Sequence, residues 1–68
     1  MKGWVVSWDG PRGIGRVRGV DKREYSCHRS ALVDVPALHR NQHVWFVPTE
    51  SARGPRAEHV QLVLGVID

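Results

Sequence analysis

Apolar side chains come in short clusters of Val, Trp, Tyr and Phe, and glycine or proline interrupts each cluster before it reaches helical length. The interruptions fall at Gly10-Pro11, Gly13, Gly15, Gly19, Pro36, Pro48 and Gly54-Pro55, which leaves no segment long enough for an ordinary helix. Between them the pattern predicts five short strands, over residues 2–8, 14–18, 24–28, 43–47 and 57–63. Ser30-Ala31-Leu32 reads as one helical turn, and residues 33–40 as a connecting loop. The first three strands pair most economically as a meander. Closure into a small barrel then removes the two edges that an open five-stranded sheet would expose to other chains. No repeat, linker or low-complexity stretch interrupts this plan.

The length, 68 residues, allows one domain over 1–68 and no second core. The expected core is Val5, Val17, Tyr25, Cys27, Leu32, Leu38, Val44, Phe46, Val60 and Val63. At about 25 cal/mol per Å² of apolar burial so small a set only slightly outweighs chain entropy. The chain is therefore expected to be marginally stable, as a monomer or a weak homodimer. Its single cysteine offers no internal disulfide and fits a reducing compartment. Met1-Lys2-Gly3 is not followed by the apolar run of roughly 7–15 residues of a secretory signal, so a cytoplasmic location is expected. The longest apolar run, Val44-Trp45-Phe46-Val47, is far short of the roughly 18 residues of a membrane helix, so no membrane partner is expected.

Charge adds a direction to this picture. The formal net charge is +3, and eight of the ten cations are Arg, which stacks on planar groups and forks onto phosphate where Lys cannot. Residues 10–30 hold Arg12, Arg16, Arg18, Lys22, Arg23 and Arg29 against Asp21 and Glu24. Residues 41–68 hold Arg53 and Arg56 against Glu50, Glu58 and Asp68. Attraction for an anionic partner should thus centre on the second and third strands.

Lys2-Gly3 opening the first strand, Arg12-Gly13-Ile14-Gly15-Arg16-Val17, Tyr25-Ser26-Cys27-His28-Arg29-Ser30, Gln42-His43-Val44-Trp45-Phe46 and Gly54-Pro55-Arg56-Ala57-Glu58-His59-Val60 together resemble the cold-shock domain family. Family members carry K-G-F-G-F-I, V-F-V-H, G-Q-x-V-x-F and G-P-x-A-x-N-V at the corresponding places, in the same order and spacing over nearly the whole chain. The resemblance implies an all-β, five-stranded antiparallel barrel of the oligonucleotide/oligosaccharide-binding type. It also implies binding of single-stranded RNA or DNA by bases stacked on exposed rings of the second and third strands.

Carried over residue by residue, the stacking platform falls on Ser7, Trp8, Ile14, Arg16, Ser26, His28 and Arg29, of which only Trp8 and His28 keep a ring. Each stacked base contributes about 1–3 kcal/mol, so three lost rings weaken binding by roughly a thousandfold. Arg16 and Arg29 stand where rings would be, and a guanidinium can stack on a base while neutralising phosphate. The leading expectation is therefore single-stranded nucleic-acid binding, in RNA handling or transcription regulation, through Trp8, Arg12, Ile14, Arg16, Arg18, His28 and Arg29, with exposed Trp8 and Ile14. The alternative is a protein-interaction module on the same barrel. It would dock on a partner such as part of the transcription machinery through a patch centred on Trp8, Ile14, Arg16 and Arg29. Trp4 and Trp45 lie outside the platform positions and read as strand-surface packing.

Catalysis and metal binding find no support in the pattern. Cys27 and His28 are neighbours on one strand, so their side chains point to opposite faces and form no thiolate–imidazole pair. His39-x-x-x-His43 has metal-ligand spacing only on a helix, and His43 belongs to a strand. No Gly-rich phosphate cradle precedes a helix, and no Ser/His/Asp or paired-carboxylate arrangement is present. The expectation is a non-enzyme without cofactor or metal.

Overall fold

The computed structural model describes residues 1–63. Five strands make up most of it: β1 (Lys2–Asp9), β2 (Ile14–Gly19), β3 (Glu24–His28), β4 (His43–Ser51) and β5 (Gly54–Leu62), with a 3-10 turn at Arg29–Ala31. The strands form one sheet that closes on itself in the order β1-β2-β3-β5-β4. The β1-β2-β3 meander and the closure follow the expectation. The purely antiparallel order does not, because β3 and β5 run parallel, with Ser26 opposite Arg56 and Cys27 opposite Ala57. The reason is parity: a ring with an odd number of strands cannot alternate direction all the way round, so one seam must be parallel. After β3 the chain runs through residues 29–42 into β4, beside β1, and the β4–β5 hairpin then brings β5 to the seam.

Strands β4 and β5 are longer than the sequence pattern predicts, since β4 runs past Pro48 to Ser51 and β5 starts at Gly54. β1 pairs with β4 only at His43, Val44 and Trp45, so Pro48 sits where β4 has β5 alone beside it. An edge position of this kind tolerates the missing N–H of proline. The two strands join through a tight hairpin in which Ser51 faces Gly54.

The core consists of Val5, Val17, Tyr25, Cys27, Ala31, Leu38, Val44, Phe46, Ala57 and Val60, all buried. Eight of these were expected. Leu32 and Val63 are only half-buried, and the small Ala31 and Ala57 are buried instead, Ala57 opposite Cys27 at the parallel seam. Tyr25 and Phe46 pack with ring centroids 5.1 Å apart and tilted by 58°, an arrangement that puts ring edge toward ring face.

A bulge in β1 decides what its two ends display. Val5 lies opposite Val17, but Ser7 lies opposite Arg16, leaving Val6 as the extra residue. Since strand side chains alternate, one inserted residue exchanges the faces of everything after it. Trp4 before the bulge is exposed, whereas Trp8 after it lies opposite Gly15, half-buried and packed against the core. The expected exposed Trp8 is corrected on this ground.

Candidate functional site

The outward positions of β2 are Ile14, Arg16 and Arg18, separated by the inward Gly15 and Val17. Pairing extends each of them across the sheet. Ile14 lies opposite His28, Arg16 opposite Ser26, and Arg18 opposite Glu24. The parallel seam continues the middle row, because Ser26 faces Arg56. One row across three strands therefore reads Arg16, Ser26, Arg56. The β4–β5 hairpin turn rises beside it and encloses a groove of about 560 Å³ lined by Ile14, Arg16, Ser26, His28, Arg53 and Arg56.

Three guanidinium groups serve this groove. Arg16 Nη1 is 3.3 Å from Glu24 Oε1, and Arg56 Nη2 is 3.1 Å from Glu58 Oε2. Both pairs are solvent-accessible, and such pairs contribute about 0–1 kcal/mol, so a phosphate can displace either carboxylate. Arg53 forms no ion pair among the described residues. At the groove floor the Ser26 hydroxyl donates to the Pro55 carbonyl at 3.2 Å. The groove thus offers charge, a hydroxyl and, at Ile14, an apolar surface 41% exposed.

His28 is held in place by the start of the 3-10 turn. Its Nδ1 accepts from the Ser30 N–H at 3.1 Å and lies 2.9 Å from the Ser30 hydroxyl. With Nδ1 acting as acceptor, the neutral ring carries its proton on Nε2. Its one face is thereby oriented beside Ile14.

The remaining expected site residues are placed elsewhere on the same side or at its margin. Arg29 Nη2 donates to the Gly10 carbonyl at 2.8 Å, and its backbone N–H donates to the Gly13 carbonyl at 2.7 Å. Gly13, at φ +66°, lies directly under the Arg29 guanidinium, where a Cβ would come within 2.9 Å of it. Arg29 therefore clamps the β1–β2 turn to the 3-10 turn. Arg12, in that turn, approaches Asp9 at 3.8 Å. Arg18 stands one row away from the groove, opposite Trp4 and Glu24. Trp8 sits on the inner side of β1, its Nε1 shielded from solvent and without a hydrogen-bond partner. The structure thus brings Ile14, Arg16 and His28 together in the groove, sets the half-buried Trp8 beside Ile14 and Arg16 in a smaller adjoining one, and leaves Arg12, Arg18 and Arg29 outside both.

Arg53 and Arg56 were missed by the sequence reading, which placed the positive region on residues 10–30. Their only signal was two arginines flanking Gly54-Pro55, a turn whose place depends on the parallel seam. Burial, with Glu58 nearby, pushes the Cys27 thiol up to about 11, so it stays a protonated core residue rather than a nucleophile. Tyr25 Oη donates to Asp21 at 2.6 Å. That bond, followed by the Arg23 N–H, holds the Asp21 carboxyl below its ordinary value, and the same bond raises Tyr25. Among the described residues no three of His, Cys, Asp and Glu gather as a metal-binding group, and no helix is long and apolar enough to cross a membrane. Compared with known proteins, the chain matches no family model and no curated sequence.

Proposed function

We propose that this protein is a cold-shock-type barrel of the oligonucleotide-binding class that binds single-stranded nucleic acid in the arginine groove, in the context of RNA handling or transcription regulation in the cytoplasm. The observation that carries the reading is the row Arg16, Ser26, Arg56, with Arg53 beside it and His28 and Ile14 at its end. The guanidinium groups neutralise backbone phosphates, the Ser26 hydroxyl, its proton given to the Pro55 carbonyl, accepts a hydrogen bond from a base, and the single oriented ring of His28 stacks on one base while Ile14 packs against its neighbour. With one ring instead of several, the affinity is electrostatic in origin and tolerant of sequence. The half-buried Trp8 weighs against protein docking through a Trp8/Ile14 patch, since one half of that patch packs on the core.

Titration with a fluorescein-labelled twelve-nucleotide oligo-dT over a range of salt tests this. Three neutralised phosphates on a single strand give a slope of about −2 in log affinity against log salt. Replacing Arg53 and Arg56 together by Gln should bring the slope to about −0.7 and weaken binding uniformly for oligo-dT and oligo-dA. Absence of binding by the unmodified protein below about 100 μM at low salt, or a slope near zero, refutes the proposal.

A further inference from the structure

The side of the ring formed by β1 and β4 carries two large rings that the core does not use. Lys2 lies opposite Trp45 and Trp4 opposite His43, which makes the two tryptophans diagonal neighbours across this pair of strands. Both face outward, Trp4 37% and Trp45 48% exposed. Diagonal neighbours of this kind stand roughly 7–8 Å apart at Cα, within reach of aromatic side chains. Trp4 also borders a shallow, mainly apolar groove of about 330 Å³ with Lys2, Val20 and His43.

Among the described residues the charged side chains in register with these rings are Lys2 and Arg18, and Arg18 in turn lies opposite Glu24. Trp4 lies in register with Arg18 and His43, and Trp45 with Lys2 and Gln61. Among the described residues no carboxylate is in register with either ring or lines the groove beside them. Exposed indoles between Lys2 and Arg18, with the His43 ring beside them, form the composition that single strands use: planar faces for bases, and cations for the backbone between them. The surface is also continuous with the arginine groove. Arg16 and Arg18 are successive outward positions on β2, and Arg18 faces Trp4 on β1. A strand leaving the groove past Arg16 meets Arg18 next and then Trp4.

We infer that Trp4 and Trp45, flanked by Lys2, Arg18 and His43, form a second binding surface on which consecutive bases of a single-stranded nucleic acid stack after it leaves the arginine groove. The inference rests on the reading proposed above and assigns the stacking contribution to β1 and β4 rather than to β2 and β3. Arg18 acquires a role in it, as the cation at the junction between the two surfaces.

Binding of the labelled twelve-nucleotide oligo-dT to Trp4→Thr and Trp45→Thr variants separates the two surfaces. Threonine keeps strand preference at these exposed positions, and circular dichroism confirms that each variant is folded. Each variant should bind about five- to tenfold more weakly with an unchanged salt slope, because a stacked ring is uncharged. In a Trp8→Phe protein, where Trp4 and Trp45 are the only indoles, the oligonucleotide should quench their emission. Unchanged affinity in both Trp variants, while Arg53→Gln/Arg56→Gln still lowers the salt slope, overturns this inference and leaves the groove standing. Loss on Trp substitution with no effect of the Arg pair supports the tryptophan surface and removes the groove. If the protein sediments as a dimer that Trp45→Thr splits without changing affinity, the surface is a self-association face and the inference falls.

Discussion

At the residue scale the groove is a balance between arginine and carboxylate. Glu24 and Glu58 sit on Arg16 and Arg56 at hydrogen-bonding distance, so each is a competitor for the phosphate that the proposed reading places there. Removing the negative charge while keeping the side-chain shape should favour the ligand. Glu24→Gln and Glu58→Gln are each expected to tighten oligonucleotide binding about two- to fivefold, measured by anisotropy at low salt. Weaker binding in both would mean that the carboxylates hold the arginines in their productive positions. Arg16, His28 and Ile14 could be named from the sequence because the resemblance to the cold-shock family implies a platform at those positions. Arg53 and Arg56 could not, because their proximity to Arg16 arises from chain segments some forty residues away in sequence.

At the scale of elements, β1 and β2 determine where rings can be displayed. A Cβ on Gly15 would overlap the Ser7 carbonyl and come within 2.8 Å of the Trp8 ring. Gly15 is thus the residue over which Trp8 folds inward. Gly15→Ala should destabilise the protein by about 1–3 kcal/mol, seen as a lower urea midpoint with an unchanged m value. An effect below the measurement error would place Trp8 away from Gly15. The bulge at Val6 is the feature that the hydrophobic pattern does not announce: a run of Trp4, Val5, Val6 with Trp8 close behind reads equally well as an unbroken strand with both tryptophans on one face. Pro48 and Gly54-Pro55 misled in the opposite direction. They are chain breakers in an isolated strand, but β4 and β5 continue through them because each has a partner on one side only at those points.

At the scale of the whole molecule, stability against pH reports which ionisable groups the fold has perturbed. Asp21 has its carboxyl lowered by Tyr25 and the Arg23 N–H. A lowered carboxylate stabilises the folded state above its unfolded value near 3.8 and loses that contribution as pH falls through the folded value. Cys27 is raised from 9.0 to about 11, and Tyr25 is raised by its bond to Asp21. For these two groups the protonated form is favoured by folding, so their contribution is present below the unfolded value and is lost as pH rises through the folded one. The urea midpoint should therefore be level near neutrality, fall below about pH 4, and fall again above about pH 9. Cys27→Val, which keeps an apolar group of similar size, should flatten the upper limb, and Asp21→Asn the lower one. An upper limb unaltered by Cys27→Val would mean that the thiol is hydrated in the folded protein.

The all-β class, the strand positions within a few residues, the meander and most of the core were determined by the sequence alone, because strand alternation and glycine or proline breaks act over neighbouring residues. The parallel β3–β5 seam was not among them: the expected order was antiparallel throughout, and closure of an odd number of strands forced one parallel pair. What only the tertiary structure decided is the direction each ring and each guanidinium faces. A single bulge turned Trp8 inward and left Trp4 outward, and closure brought Arg53 and Arg56 from the hairpin to Arg16. Both depend on register between strands distant in sequence, which is set by how side chains fill one shared interior and not by the local order of residues.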